Sequence, residues 1–415
     1  MRTPLGAIIF LSIMLLLDTY MFQAIKSVSQ SASPKTKTII YVVYWCITAL
    51  AVMGFLIFVF TPSDFLPKKL RTYMFATVVG LFLSKLIAAV FFLVDDLRRG
   101  IQWTAGKLFM QDTVAGDPGE THISRSVFLS WLGLAAGGGL FGSLIYGFSN
   151  KYRYQVKRIQ LAFEKVPPSF RGLKIIHISD IHSGSFMDKA AVQKGVQKII
   201  DQKADIILFT GDLVNNLPGE MKDYMDLFSQ LKAPMGVYST FGNHDYADYI
   251  PWESQEAKWA SLEKLKQVHA DLGWRLLLDE NVVLEKGSDK IALIGVQNIS
   301  GKRNFHSYGD MAKAYNGVDQ NHFKILMSHD PSHWDKEVRT KYSDVDLTLS
   351  GHTHGMQFGI EIPGFKWSPV QYVYKQWAGL YEEGNQKLYI NRGFGFIGYP
   401  GRLGILPEIT VIELV

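Results

Sequence analysis

Four long apolar stretches, each about 20 residues long and nearly free of charge, occupy the first 150 residues of the chain. Roughly 20 apolar helical residues cross a bilayer core about 30 Å thick, so these lengths predict membrane spans. No apolar stretch of that length recurs after Lys151. We therefore expect an all-α transmembrane region at 1–150 and a second domain at 151–415. The predicted spans are about 5–25, 39–60, 72–94 and 127–148.

Charge is divided unevenly between these two parts. Residues 1–150 hold 12 lysines and arginines against 7 acids, whereas residues 151–415 hold 31 against 31. Proteins that follow nucleic-acid phosphates carry a basic surface, so the neutral second domain disfavours a nucleic-acid partner. The single cysteine, Cys46, lies within an apolar stretch and excludes both a disulfide framework and a site built from several thiolates.

Four spans place residues 151–415 on the same side of the membrane as the N-terminus. Lysine and arginine counts hardly separate the two sides, with 8 flanking the spans on this side and 7 on the other. However, a tight basic cluster at 151–158 precedes the second domain, and no disulfides argue for export. We therefore expect a multi-pass cell membrane protein with a cytoplasmic second domain. Cleavage of the first span as a signal peptide would not change that side.

Two ionisable residues, Asp18 and Lys85, lie inside the predicted first and third spans. Unpaired charges in a bilayer are costly, and both residues lie about 13 residues from the start of spans that run in the same direction. We expect a structural role for both, as a buried ion pair or with the Lys85 side chain extended toward the membrane interface. A role in transport or proton relay is the functional alternative.

After Arg153, short apolar runs of strand character alternate with amphipathic segments, which predicts a layered α/β domain. The connection at 151–169 leaves room for an edge strand. The predicted helices are 188–202, 220–231 and 252–272. The predicted strands are 173–179, 205–210, 236–241, 290–295, 323–327, 345–350, 387–391 and 408–414.

Five polar segments occur in one order in this half, each just after an apolar strand-like run. At such positions a side chain leaves the packed sheet and reaches a cleft. Oxygen and imidazole ligands in this mixture suit divalent metals such as Mn, Fe or Zn. The five segments are Ile178 to His182, Thr210 to Asp212, Gly242 to Asp245, Ser328 to Asp330, and Gly351 to His354.

The spacing of these residues suggests how they divide between two metal ions. Asp180 and His182 are two apart and in extended geometry would point to one side, where His354 can join them. Asp212 has two carboxylate oxygens and can bridge both ions. His329 and His352 can supply imidazoles to the second ion, and Asn243 offers a neutral amide oxygen. Two ions about 3.5–4 Å apart would clamp a phosphoryl oxygen and bind a hydroxide placed for in-line attack.

His244 is adjacent to Asn243 and therefore points in a different direction from that ligand. It is our candidate for protonating the leaving oxygen, with Asp245 orienting its ring. The glycines of the Gly242 and Gly351 segments allow tight turns that bring backbone close to the metals.

With these motifs, residues 172–415 resemble the calcineurin-like metallophosphoesterase superfamily. The resemblance implies a four-layer αββα sandwich and a catalytic pair of His244 and Asp245. It also implies two metal sites that share Asp212. The first would hold Asp180, His182, Asp212 and His354, and the second Asp212, Asn243, His329 and His352.

The chain is most similar to bacterial membrane-associated members of that superfamily and to animal transmembrane proteins with the same domain. The tail segments 377–381, 391–395 and 400–404 carry this closer likeness. One departure is Met356, which stands where such relatives usually have a second glycine in Gly-His-Thr-His-Gly-Gly-Gln, and which should reshape the rim of the site.

Two tail residues, Arg392 and Arg402, are candidates for binding a substrate phosphate through bidentate hydrogen bonds, with solvent exposure as the alternative. An aromatic run at 365–381 could form a lip that touches lipid, although core packing is the simpler interpretation. Replacement of Tyr374 and Trp377 by serine would test that lip.

The sequence therefore predicts a membrane-anchored phosphohydrolase with two divalent metals. It would cleave a phosphodiester or diphosphate bond, in a lipid-linked substrate because the chain itself resides in the membrane. The alternative is a membrane transport or scaffold protein whose metal-binding domain binds phosphoesters for regulation. The complete ligand set together with His244 argues against that alternative.

Overall fold

The computed structural model describes residues 4–62, 65–109 and 125–415. These residues divide into two compact units, one ending at Tyr146 and the other comprising Gly147–Val415.

Four helices of the first part are long and apolar enough to cross a membrane, which confirms the prediction of a membrane protein. Helix α3 continues well past the predicted end of its span at 94. At about 1.5 Å per residue its 42 residues reach about 63 Å, twice the thickness of a bilayer core. The four helices are α1 (Pro4–Val28), α2 (Pro34–Phe60), α3 (Lys68–Phe109) and α4 (Arg125–Gly147).

The two charges predicted inside the spans lie against each other. Lys85 Nζ contacts Asp18 Oδ1, and both side chains are buried. The same oxygen accepts hydrogen bonds from Thr48 Oγ1 at 2.8 Å and Tyr44 OH at 3.0 Å. The positive charge of Lys85 and the hydrogen bonds from Lys85, Thr48 and Tyr44 offset the cost of burying the Asp18 carboxylate. This supports a structural role for the pair.

The second unit contains five helices and fourteen strands among the described residues. The predicted helix at 220–231 is wrong, because a 3₁₀ turn and a four-residue helix occupy that segment. The helices are α5 (Lys189–Ile200), α6 (Met225–Phe228), α7 (Gln255–Asp271), α8 (Met311–Tyr315) and α9 (Arg339–Lys341). The strands are β1 (Gln155–Leu161), β2 (Lys174–Ile178), β3 (Ile206–Phe209), β4 (Val237–Ser239), β5 (Arg275–Leu276), β6 (Glu280–Lys286), β7 (Asp289–Gly295), β8 (Phe323–Met327), β9 (Leu347–Ser350), β10 (Ile360–Ile362), β11 (Phe365–Trp367), β12 (Gly379–Glu383), β13 (Gln386–Ile390) and β14 (Glu408–Leu414).

Two six-stranded sheets and one small hairpin, β10–β11, contain all of these strands. The first sheet has the order β1-β14-β2-β3-β4-β5, with only the β14–β2 pair antiparallel. The second has the order β12-β13-β9-β8-β7-β6, with its three central pairings parallel. The carboxyl ends of the parallel strands therefore share one edge in each sheet, and the predicted polar segments follow those ends.

Successive side chains along a strand point to opposite faces of the sheet, which explains the four layers. Ile175 packs into the core between the two sheets, whereas its neighbour Ile176 packs into the core that covers the outer face of the first sheet. Helix α5 supplies that outer core, begins with the Asp188 side chain capping Ala191, and buries Val192. A third core containing Trp334 covers the outer face of the second sheet. The αββα prediction is confirmed.

Candidate metal centre and active site

The candidate ligands meet where strand ends from both sheets converge. Asp180 and His182 follow β2, Asp212 follows β3, and Asn243 follows β4 in the first sheet. From the second sheet, His329 follows β8, while His352 and His354 follow β9. A hydrogen bond of 2.7 Å between His329 Nδ1 and the carbonyl of Thr210 joins the two sheets at this point.

Five of the seven candidate ligands have left-handed backbone. The φ angles are 53° at Asp180, 49° at His182, 61° at Asp212, 70° at His352 and 50° at His354. Side chains with a β-carbon rarely adopt this region, and each such residue costs about 1–3 kcal/mol. Asp180 and His182 therefore meet through tight turns and not, as expected, through extended geometry.

Glycines provide the room that these turns need. A β-carbon at Gly211, where φ is 95°, would collide with the backbone of Gly242. A β-carbon at Gly351 would collide with the side chains of Ser179 and Asp180. The loops after β2, β3, β4 and β9 are thus in direct contact, which holds their side chains at short range.

The first group of ligand atoms is formed by Asp180, His182 and His354, whose atoms lie within 4.8 Å of one another. His354 Nε2 is 3.2 Å and His182 Nε2 is 3.9 Å from Asp180 Oδ1. Burial lowers the pKa of both rings, so each is neutral at pH 7 and keeps a lone pair for a metal.

Asp212 lies between this group and a second one. Its Oδ2 is 3.5 Å from His182 Nε2 and 3.2 Å from His329 Nε2. Asp180, Asp212 and His329 also lie within 4.8 Å of one another. Burial disfavours a charged ring at His329, but the carboxylates of Asp212 and Asp180 and the Thr210 carbonyl together outweigh it and raise the pKa of this imidazole to about 10. These carboxylates create a field that attracts a cation.

His352 and Asn243, the other two candidate ligands, lie beside the second group, with the ring centroid of His352 5.2 Å from that of His329. The Nδ1 atom of His352 is 2.8 Å from Asn243 Oδ1. Donation from Asn243 Nδ2 to Tyr249 OH at 2.8 Å turns the amide oxygen toward the site. On the other side of the His352 ring, Nε2 is 2.7 Å from the hydroxyl of Tyr374. Tyr374 thus orients a candidate ligand, a role that its sequence position in a loop did not reveal.

The unpartnered atoms at this site fit divalent metals. Within the described residues, the Nε2 atoms of His182, His329 and His354 are buried and have no partner with hydrogen-bond geometry, although those of His329 and His354 each lie 3.2 Å from a carboxylate oxygen. Each buried atom without a partner costs about 1–3 kcal/mol. Imidazole nitrogens and carboxylate oxygens that converge at 3.2–3.9 Å suit Mn, Fe or Zn, which would satisfy these atoms together.

His244 lies beside this cluster and is partly exposed. Its ring centroid is 5.0 Å from that of His182, and its backbone amide donates to Asp212 Oδ1 at 2.8 Å. The ring is oriented through Nδ1, which lies 2.8 Å from the carbonyl oxygen of Asn215. Nε2 is therefore the ring nitrogen left for proton transfer.

Asp245 has a different set of contacts from the one expected. Its carboxylate accepts backbone hydrogen bonds from Gly242 and Asp212 at 2.8 Å and from Leu213 at 2.9 Å. Burial and the charge of Asp212 raise the pKa of this carboxyl to about 7. The expected role in orienting the His244 ring belongs to Asn215, because the Asp245 oxygens are committed to the loop that holds Asp212.

Both tail arginines are buried and bonded within the protein. Arg392 contacts Glu408 and donates to Glu361 at 2.8 Å. Arg402 Nη1 donates to the carbonyl oxygens of Arg392 at 2.7 Å and His354 at 3.2 Å. The contact of Arg402 with the His354 carbonyl positions the loop of His354, and the alternative of solvent exposure is wrong for both arginines. Phosphate binding by either arginine stays a prediction without a contact that supports it.

Met356 forms the rim two residues after His354. Its φ is 55° and its side chain is 51% exposed, so a bulky residue occupies a backbone conformation that favours glycine. The aromatic run divides into two sets. Tyr374 and Trp377 are buried with Ile405, whereas Phe365 and Tyr372 are exposed. Core packing is thus confirmed for Tyr374 and Trp377, and their serine variants would not test a lip.

Family comparison agrees with this architecture in both parts of the chain. Residues 1–151 match the domain described as "Probable Calcineurin-like phosphoesterase, transmembrane domain". Residues 173–356 match "Calcineurin-like phosphoesterase" and include all seven candidate ligands. The chain belongs to the calcineurin-like phosphoesterases. This confirms the resemblance inferred from the five segments and places the chain in a family of hydrolases.

Curated relatives of this phosphoesterase come from animals and bacteria. A zebrafish "Transmembrane protein with metallophosphoesterase domain" is 29% identical over 65% of this chain and 60% of its own length. The Bacillus subtilis protein YkuE, an "Uncharacterized metallophosphoesterase", is 28% identical over 70% of this chain and 98% of its own length. "Phosphodiesterase YaeI" of Escherichia coli is 28% identical over 63% and 88%. The chain thus spans less than two thirds of the zebrafish relative.

Proposed function

We propose that this chain is a membrane-anchored phosphohydrolase that uses two divalent metal ions and cleaves a phosphodiester or diphosphate bond in a lipid-linked substrate. The observation that carries the proposal is the convergence of five candidate ligands, Asp180, His182, Asp212, His329 and His354, in two groups whose histidine Nε2 atoms are buried and have no hydrogen-bond partner within the described residues. The name of the E. coli relative, a phosphodiesterase, supports the reaction class.

Each group of residues would have a distinct part in this reaction. Asp180, His182, Asp212 and His354 would hold one ion, and Asp212, Asn243, His329 and His352 the other. Bound metals of this type polarise a phosphoryl oxygen and lower the pKa of water. His244, held through Nδ1 by the Asn215 carbonyl, would deliver a proton from Nε2 to the leaving oxygen.

An exposed apolar surface beside the site supports a lipid-linked substrate. Six of the twelve exposed large apolar side chains in residues 147–415 lie within the 18 residues that begin at Met356. A contiguous exposed apolar patch marks a binding face, and this series of exposed residues begins two residues from the candidate ligand His354. We name this the apolar rim: Met356, Ile360, Ile362, Phe365, Tyr372 and Val373.

Hydrolysis of bis(p-nitrophenyl) phosphate by the full-length protein in detergent tests the reaction. We expect turnover that requires Mn²⁺ and is lost on chelation. Metal analysis of the purified protein would identify the resident ion. Asp212→Asn should lose both metal and activity, whereas Asp271→Asn, at the exposed end of α7, should change neither. Metal binding without turnover by the wild-type protein would favour the scaffold alternative.

Chain-length dependence tests the lipid-linked part. Phosphodiesters with one long alkyl chain should be hydrolysed with a lower KM than their short-chain equivalents. Substitution of Ile362 and Phe365 by serine should remove that difference, while Leu217→Ser, an exposed apolar residue outside the rim, should keep it. Equal rates on both chain lengths in the wild-type protein would contradict a lipid-linked substrate.

The cytoplasmic location of the catalytic unit is also part of the proposal and rests on the basic cluster at 151–158. A single cysteine introduced at Lys232, in a protein with Cys46 replaced by alanine, should be labelled by a membrane-impermeant maleimide only after the cells are opened. Labelling of intact cells would place the unit outside.

A further inference from the structure

A small cavity with a basic lining lies on the His352 side of the metal centre. Its volume is about 270 Å³, and three lysines line it together with Tyr374, Ser332 and Asp335. The lysines, which we call the lysine pocket, are Lys302, Lys336 and Lys375.

Two residues connect this cavity directly to the candidate ligands. Tyr374 lines the cavity and places its hydroxyl 2.7 Å from His352 Nε2. Ser332 lines it as well and donates to Asp330 Oδ1 at 2.7 Å, while the other Asp330 oxygen is 3.8 Å from His352 Nε2. A group in the cavity is therefore separated from His352 by the width of one side chain.

The charges around the cavity favour an anion. Three lysines and one carboxylate, that of Asp335, line the cavity, which is a formal excess of two positive charges. That carboxylate forms an ion pair with Arg339 at 3.2 Å and accepts a hydrogen bond from Gln376 at 3.1 Å, so its negative charge is partly neutralised outside the cavity lining. The ammonium group of Lys336 uses one hydrogen on the Ser300 carbonyl at 3.0 Å and has two others for a ligand.

Size restricts what the cavity can hold. Sites for drug-sized ligands enclose about 300–1,000 Å³, so a cavity of about 270 Å³ suits only part of a substrate. Lys302 Nζ lies 5.2 Å from the ring centroid of Tyr374, over the residue that leads to His352. A compact anionic group next to the scissile phosphoryl group would fit both the small volume of the cavity and its position beside Tyr374.

We propose that Lys302, Lys336 and Lys375 form a subsite for a second phosphate-class group of the substrate, adjacent to the phosphoryl group that is cleaved. This inference rests on the proposed phosphohydrolase function and narrows its substrate to compounds with two neighbouring anionic groups, such as diphosphates. The lysines would bind the non-scissile group as point charges, and the apolar rim would contact the attached chain.

Competition with a matched pair of ligands tests the subsite. Geranyl diphosphate and geranyl monophosphate have the same chain and differ by one phosphate. Their inhibition constants against bis(p-nitrophenyl) phosphate hydrolysis are measured with the full-length protein at fixed free Mn²⁺. We expect the wild-type protein to bind the diphosphate more tightly. In Lys302→Gln/Lys375→Gln this preference should fall about tenfold, the effect of losing a hydrogen bond to a charged group.

Three controls show whether the lysine charges themselves cause the preference. Lys302→Arg/Lys375→Arg keeps the charges and should keep most of the preference. Lys232→Gln removes an exposed lysine before β4, at the strand end opposite the site, and should leave both inhibition constants unchanged. Manganese content and Tm identify a variant that has failed to fold, and the arginine pair then serves as the folded comparison.

An unchanged diphosphate preference in the glutamine variant would overturn the subsite. Absence of Mn²⁺-dependent hydrolysis by the wild-type protein would instead contradict the proposed function. In that case calorimetric titration of the two geranyl compounds into the same variants still measures the preference and decides for or against the lysine pocket.

Discussion

Asp245 Oδ2 accepts a hydrogen bond from the backbone amide of Asp212 at 2.8 Å. The residue predicted to act on a catalytic histidine thus fixes the backbone of the candidate bridging ligand. Because its carboxylate also binds the amides of Gly242 and Leu213, it joins the loops after β3 and β4.

Asp245→Asn should therefore lower metal affinity. The amide nitrogen of asparagine would face backbone N–H groups that need an acceptor, and loss of an outer contact to a metal site typically costs about 10- to 100-fold in affinity or activity. Titration of the metal-free variant with Mn²⁺ measures this effect. Asp271→Asn serves as the matched control, and wild-type affinity in Asp245→Asn would contradict the positioning role.

Removal of the His244 ring should slow the reaction in proportion to the need for a proton donor. With a p-nitrophenyl leaving group, which departs readily as an anion, His244→Ala should lose less than with an alkyl leaving group. General acid catalysis is worth about 10²- to 10⁴-fold, so the alkyl ester should show a loss in that range. Rate constants for both esters, with Mn²⁺ content as control, measure the difference. Equal losses would exclude protonation of the leaving group.

Tyr374→Phe removes the hydroxyl next to His352 Nε2 and leaves the buried ring in place. We expect about tenfold weaker Mn²⁺ binding, because the imidazole loses the contact that orients it. The thermal stability of the metal-free protein should change little. Tyr372→Phe is the control, since Tyr372 is 78% exposed. Equal Mn²⁺ affinities for the two variants would remove Tyr374 from the site.

Met356→Gly should raise stability. Left-handed backbone costs an L-residue about 1–2 kcal/mol, and glycine removes this cost. Part of the gain is lost because glycine also makes the unfolded chain more flexible. A net gain of about 1 kcal/mol raises Tm by roughly 2–4 °C for a domain of this size. Met356→Ala is the comparison, because it removes the side chain but keeps the β-carbon. Were both variants to melt together, backbone strain would not be the cause.

Much of the fold follows from sequence pattern because both sheets are buried on both faces. Continuous apolar runs such as 206–209 and 323–327 could hardly be anything but central strands. The segment 220–231 has apolar residues at helical spacing but does not form one helix, because the Glu220 side chain accepts hydrogen bonds from the amides at 215–217 and shapes a turn. The partly exposed strand β6 lacks a continuous apolar run, so no pattern indicated it.

The identities of the candidate ligands could be predicted from the sequence, but the left-handed backbone conformation of these residues could not. Left-handed φ angles at Asp180, His182 and Asp212 depend on contacts between loops that are far apart in sequence. The contact of Tyr374 with His352 could not be predicted for the same reason. Tyr374 reaches His352 only because the segment around Trp377 is buried against Ile405. Periodicity describes one strand at a time, whereas these contacts join several.

Arg402 makes contacts through its side chain and through its backbone, and together they connect the loop of His354 to Gly147. Its guanidinium binds the carbonyl oxygen of His354, and its backbone amide donates to the carbonyl oxygen of Gly147 at 3.0 Å, where α4 ends. The second compact unit includes Gly147, four residues before the predicted domain boundary at 151. A soluble fragment that starts at residue 151 would cut away one partner of the residue that supports a metal ligand. Fragments intended for crystallisation or assay should retain Gly147.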